Sequence, residues 1–318
     1  MNGNAPEATV TGAWSVFQEP WWLEAVAPGA WQEARVEQGG QLMARWPFLV
    51  KRRHGLTVLT EPPMTQYLGP WFRANSGKAS TQFSERRELW GELLKQLPAH
   101  DYLNTQCHPE LDDWLPARWK GFEQTTFYTL KVRPKTEEEA WQDLDANIRN
   151  GIRKAQKTLQ VVRDLDLDRM LDIQDMTFRR QGLESPQPRP FFHQMAAAAQ
   201  AMGREHRFAA VDGEGRVHAV LYVVEGPMEL HGVWSAGDPE LRKHSGASLL
   251  YWEAIRTAHA LGKTYNFGGS IIEPIHQFMR QFGTELVPFF QLQRSATRTM
   301  DLVLGLQALG RAFRRRPA

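Results

Sequence analysis

The feature that most constrains this chain is the order of elements written into residues 205–292. EHRFAAV (205–211) reads as a strand, DGEG (212–215) as a hairpin turn and RVHAVLYVVE (216–225) as the returning strand. MELHGVWSA (228–236) supplies a third strand. Ser245 offers an N-cap for a helix whose apolar residues Ala247, Leu250, Ala254, Ala258 and Leu261 recur at steps of three and four, and Gly262 stops it. A short strand (263–267), a helix (272–282) and a strand (285–292) complete the set.

The first half runs through the same order without obvious sequence identity. Strands are expected near 31–37, 41–51 and 56–68, then a helix near 83–97, a strand DYLNTQ (101–106), a helix near 109–118 and a strand EQTTFYTLKV (123–132). Two successive β-β-β-α-β-α-β units predict a duplicated α/β (α+β) fold with mixed sheets, divided as 1–133, 134–294 and a C-terminal helix with a basic tail over 295–318. Pro134 and Lys135 mark the joint. The helical sequence that follows carries an apolar stripe, Ile148, Ile152, Ala155 and Leu159, beside a basic one, Arg149, Arg153 and Lys157. With three prolines, RRQGLESPQPRPFF (179–192) cannot be one continuous helix.

Composition narrows the function classes. At 42% hydrophobic and 23% charged the chain is globular, and a net charge of +2 is too balanced for a surface given over to nucleic acid. The single cysteine, Cys107, excludes an internal disulfide framework and a Cys-rich zinc site. It reads as core packing. Most of the 12 tryptophans, among them Trp21 and Trp22, likewise read as core. Of the ten histidines, His108 beside Cys107 and His244 lack partners at metal-ligand spacing, so no metal is expected. There is no Walker loop, no Gly-x-Ser-x-Gly elbow and no His-Glu-x-x-His helix. The N-terminus lacks a signal-peptide pattern and no run of about 18 apolar residues exists, which predicts a cytoplasmic protein.

NIRNGIRKAQK, then KHSGASLLYWEAIRTAHALGKTYNFGGS, then IHQFMRQFG resemble in order and spacing the FemAB and related CelD-like (BioF2-like) acyltransferases. The resemblance spans roughly 135–292 and implies two tandem GNAT-like domains, transfer of an activated acyl group to an amine, and no tightly bound cofactor. Fem ligases use aminoacyl-tRNA to build on a peptidoglycan precursor. Relatives are expected to use acyl thioesters, on CoA or acyl carrier protein, in exopolysaccharide or lipid decoration. Two positions depart from the family pattern. Met279 stands where an aromatic-Lys-x-x-Phe-Gly segment has its lysine, with Arg280 turned about 100° away. Asn266 replaces the acidic residue before Phe-Gly-Gly and removes a possible general base. Both favour a thioester donor, and both would equally suit a non-catalytic GNAT-like scaffold, the alternative reading.

The residues suggest roles within that chemistry. Glu229 and His231 share a strand face with Val233 and Ser235, opposite Leu230, Gly232, Trp234 and Ala236, so His231 is the candidate base and Glu229 its orienting carboxylate. A polar pair on a wet strand face is the plainer reading. Lys243, Ser245, Gly246 and Ser248 loosely resemble the acetyl-CoA-binding pattern at a helix N-terminus, where free N–H groups favour phosphate. Arg149, Arg153, Arg180, Trp234, Asn266, Ser270 and Arg280 are the candidate substrate contacts. The acceptor is expected to be a small molecule or lipid-linked, with tRNA or acyl carrier protein as further partners. At the C-terminus, Leu302, Leu306, Leu309 and Phe313 line one side of a helix that ends in Arg311 and Arg314–Arg316. That helix either packs on the first domain or lies on the inner membrane face.

Overall fold

The computed structural model describes residues 12–53, 55–180, 182–297 and 300, so the expected C-terminal helix and basic tail lie outside the described residues. Packing divides the chain into two compact units. Of the described residues, the first holds 12–14, Ala27–Phe127, 289–297 and 300. The second holds Tyr128–Pro288 together with Ser15–Val26. These breaks differ from the expected joint at 133/134. A strand cannot be divided by composition alone, and Ser15–Val26 is placed by tertiary contacts rather than by sequence proximity.

In chain order the elements are α1 (Pro20–Val26), β1 (Trp31–Gln38), β2 (Gln41–Arg53), β3 (Leu56–Thr60), β4 (Trp71–Phe72), α2 (Ala79–Gln96), β5 (Tyr102–Gln106), α3 (Leu115–Arg118) and β6 (Glu123–Val132). Then come α4 (Glu137–Asp143), α5 (Ala146–Ala155), β7 (Leu159–Val162), α6 (Leu167–Arg180), α7 (Arg189–Ala201), β8 (Glu205–Asp212), β9 (Val217–Glu225), β10 (Glu229–Gly237), α8 (Gly246–Ala260), β11 (Thr264–Asn266), α9 (Glu273–Arg280) and β12 (Glu285–Ser295). The mixed α/β class and the element order expected from sequence are both present.

In the first unit β1, β2 and β3 form an antiparallel meander, β5 adds parallel to β3, and residues 291–295 of β12 add antiparallel to β5. Trp46, Phe72, Trp90 and Phe122 fill its core, with Cys107 buried among them. The cysteine is therefore packing.

The sheet of the second unit runs β6-β11-β10-β9-β8-β7, and only β10 and β11 are parallel. Hairpin β8–β9 forms where DGEG predicts it, because the Asp212 carboxylate accepts the N–H groups of Glu214 and Arg216 and closes the turn. Leu130, Val132, Leu221, Val223 and Leu230 project from one face onto Leu249, Leu250, Tyr251 and Ile255 of α8 and onto Ile148 and Ile152 of α5. Each such fully buried side chain contributes about 1.5–3 kcal/mol. Along the opposite face Trp234 stacks on Tyr222 and meets Phe192 of α7 edge-on. Gly262, at φ +67°, turns the chain out of α8 as expected.

Candidate active site

The site grows from an irregularity in β10. Its pairing with β9 is regular at Leu230, His231 and Gly232, then slips, so that Trp234 opposes Tyr222 and Val233 has no partner in the register. A β-bulge of this type reverses which face each following side chain occupies. The simple alternation expected for 229–236 therefore fails past Gly232. Trp234 shares the face of His231, whereas Ser235 turns to the other and hydrogen-bonds the Tyr251 hydroxyl at 2.9 Å.

β10 and β11 then part. Their parallel ladder covers only Glu229 to His231 against Thr264 to Asn266. Beyond Asn266 the chain follows β6 instead, with Phe267 N–H donating to Leu130 O and Leu130 N–H to Gly268 O, while β10 continues along β9 to Gly237. A wedge between two parallel strands, bordered by a bulge, is the result. Gly269 permits the return: a Cβ there would fall 2.2 Å from Tyr128 O.

At the far end of β10 stands the start of α8. Gly246 packs so closely on β8 and β9 that a Cβ would sit 3.1 Å from His218 Cβ and 3.4 Å from Ala219 Cβ, and Ala219 is the partner of Gly237. The helix N-terminus and the end of the bulged strand are thus neighbours. Ser245 does not act as the expected N-cap. It adopts the left-handed conformation (φ +59°) and makes no side-chain cap bond, while its Oγ lies 3.0 Å from where a Cβ on Gly151 of α5 would be. Ser248 is buried in the first turn, and Lys243 is exposed in the preceding 3-10 turn.

His231 and Glu229 lie inside the sheet rather than on a wet face. The His231 ring is fully buried, is covered by Phe17 at 4.7 Å between ring centres, and has no hydrogen-bond partner on either nitrogen among the described residues. Burial lowers its pKa to about 4, against a smaller upward pull from Glu229. Its Nε2 is 3.8 Å from Glu229 Oε2, beyond hydrogen-bond range. Asn266 is also fully buried, and its Nδ2 donates to Glu229 Oε2 at 2.7 Å. Sequence reasoning passed over Lys131, whose Nζ donates to Glu229 Oε1 at 2.5 Å. The available signal was a lysine set between Leu130 and Val132 in the strand predicted over 123–132.

Other expected contacts are dispersed. Arg149 donates to the carbonyls of Gln142 and Leu144 and so closes the corner between α4 and α5. Arg153 lies 5.3 Å from the centre of the Trp141 ring. The basic stripe is therefore partly spent on the protein's own structure. Arg180 and Arg280 are exposed ends of α6 and α9, and Ser270 accepts the Ile272 N–H. Met279 packs against the core of the second unit, where the family pattern has a lysine. Among the described residues no group of three or more His, Cys, Asp or Glu is placed to hold a metal, and no described helix is long and apolar enough to cross a membrane.

Comparison with known proteins agrees with this geometry. Residues 142–273 match the family described as Acetyltransferase (GNAT) domain. No curated protein sequence matches. Among solved structures, FemX is similar at 14% identity and a TM-score of 0.64, over 89% of this chain and 94% of that one. L-PGS from Bacillus licheniformis is similar at 10% identity and 0.53, over 90% of each chain. A tandem GNAT protein from the clavulanic acid biosynthesis pathway matches at 12% and 0.51, over 87% of this chain and 86% of that one. These likenesses establish the fold, and the matched segment contains the bulged strand, the parting of β10 from β11 and the start of α8. Residues 142–273, all within the second unit, match a GNAT acetyltransferase domain, and on that match the chain is an acyltransferase.

Proposed function

We propose that this enzyme moves an acyl group from a thioester donor to an amine on a cell-envelope, sugar or small-molecule acceptor, as a relative of the FemAB group. The observation that carries the reading is the junction of bulge, wedge and helix N-terminus. Val233, left out of the ladder, gives a donor carbonyl access to the main chain, and the first N–H groups of α8 offer a seat for the donor's phosphates. The amine nitrogen attacks the thioester carbonyl, the C–N bond forms and the C–S bond breaks. His231, uncharged at neutral pH, takes the proton that the amine loses, and the thiolate leaves to be protonated. Met279, partly buried against the core in place of the family lysine, supports a thioester over aminoacyl-tRNA. A lipid-linked acceptor and approach to the inner membrane face extend the same proposal.

Purified protein should be screened against CoA thioesters, acyl carrier protein thioesters and aminoacyl-tRNA by thermal shift, with thiol release measured over a panel of amines. A thioester that binds only the folded state should raise Tm progressively with its concentration. Turnover with aminoacyl-tRNA alone would overturn the thioester assignment, and no response to any donor would overturn the proposed site.

A further inference from the structure

The first unit carries a cleft that the transfer chemistry does not use. Its volume is about 490 Å³, within the range of small-ligand sites, and it is lined by α2 on one side and by the end of α3 and the residues just past it on the other. Trp119 lines it and is 56% exposed, although tryptophan is among the most deeply buried residue types on average. The ring of Phe83, itself 44% exposed, meets Trp119 edge-on with 6.4 Å between ring centres. Opposite stands Gly91, well inside the 18-residue helix α2, where only proline is less favourable. The fold itself does not ask for this glycine. Its φ is not positive, and a Cβ there would meet no atom within 4 Å. A side chain left out where packing would admit one leaves room for something that approaches the helix from the cleft.

The charges around the cleft select the ligand class. Arg87, Lys95 and Lys120 line it together with Glu88 and Glu92, and none of the five forms an ion pair among the described residues. Nucleic acid is held by basic groups beside stacking rings, and two carboxylates in the same cleft would repel its phosphates. An apolar chain gains nothing from a rim of charged groups that must be stripped of water to meet it. A hydroxyl both donates and accepts, so a polyhydroxylated ring can hydrogen-bond to guanidinium, ammonium and carboxylate at once while its C–H face lies on an indole. We propose that this cleft is a docking site for a neutral saccharide. Trp119 is the stacking platform, the five charged side chains hold the hydroxyl groups, and Gly91 is the gap that lets a sugar ring come close to the helix. The proposal goes beyond the transfer reaction and does not depend on it.

The experiment titrates the intact protein with cellotetraose, maltotetraose and N-acetylchitotetraose by isothermal calorimetry, with a single-stranded oligonucleotide for comparison. At least one tetrasaccharide should bind with a Kd of about 1 mM or tighter, and Trp119→Ala and Gly91→Leu should each weaken that binding at least about tenfold. Trp119 is more than half exposed, so Trp119→Ala should retain the native circular dichroism. Gly91→Leu puts a good helix former where a Cβ meets open space, so its Tm should equal or exceed the native value. The two readouts of Gly91→Leu thus separate a glycine kept for a ligand from one kept for the fold. A lower Tm in that variant, no binding of any of the three sugars, or unchanged binding in either variant would overturn the proposal. Oligonucleotide binding that is lost in Trp119→Ala would also overturn it, by assigning the cleft to nucleobases.

Discussion

Acid should destabilise this protein in part through one buried ring. His231 is enclosed with no hydrogen-bond partner on either nitrogen among the described residues, and its pKa is lowered to about 4 from an ordinary value of 6.5. The unfolded chain therefore binds a proton that the fold refuses. This contribution to stability is complete above about pH 6.5, declines as the pH falls, and levels off below about pH 4, where both states are protonated. At about 1.4 kcal/mol per unit of difference the full span is roughly 3 kcal/mol, of which about 2 kcal/mol is lost by pH 5. Urea unfolding of the native protein and His231→Gln at pH 7 and pH 5 isolates the effect, since carboxylates titrate in both. The native protein should lose about 2 kcal/mol more than the variant over that interval. Equal losses would mean that the ring is solvated or protonated within the fold, and the reasoning would fail.

Removal of Phe17, which covers His231 and meets Trp22 edge-on at 5.3 Å, should cost about 3–5 kcal/mol as Phe17→Ala, read by urea unfolding and by faster amide exchange in residues 15–26. Gly283 sits at φ +67° with a Cβ position 2.6 Å from Asp143 Cβ, so Gly283→Ala should destabilise by more than about 2 kcal/mol, through left-handed strain plus the clash, in thermal unfolding. Arg189 joins Asp168, Asp172 and Asp175 on the exposed side of α6 and α7. Arg189→Ala should cost no more than about 1 kcal/mol, and the difference should shrink in high salt.

Much of the fold could be read before the structure because its signals are local. The DGEG turn closes on the side chain of its own Asp212, α8 stops at a glycine with positive φ, and the three prolines after Gly182 separate α6 from α7. Glu229 and His231 were legible as chemistry-bearing residue types on one strand. Their surroundings were not. Nothing in GVWSA marks the bulge at Val233 that moves Trp234 onto the His231 face, because a bulge is decided by the partner strand and by what must pack on each side. Ser245 carries the expected capping residue type yet sits in the left-handed region, held close to Gly151 of α5. Arg149 looked free in sequence and is held by carbonyls of the preceding turn.

What the sequence alone determined is the succession of strands and helices, since side-chain periodicity, caps and turn residues act over a few positions of chain. Only the tertiary structure decided the electrostatics of the site. Lys131 and Glu229 are separated by nearly a hundred residues and meet because β11 is laid between their strands, and Phe17 reaches His231 from the N-terminal segment. Whether a carboxylate has a cation beside it, and whether a histidine is neutral, depends on distance and burial, and both are properties of the packed sheet.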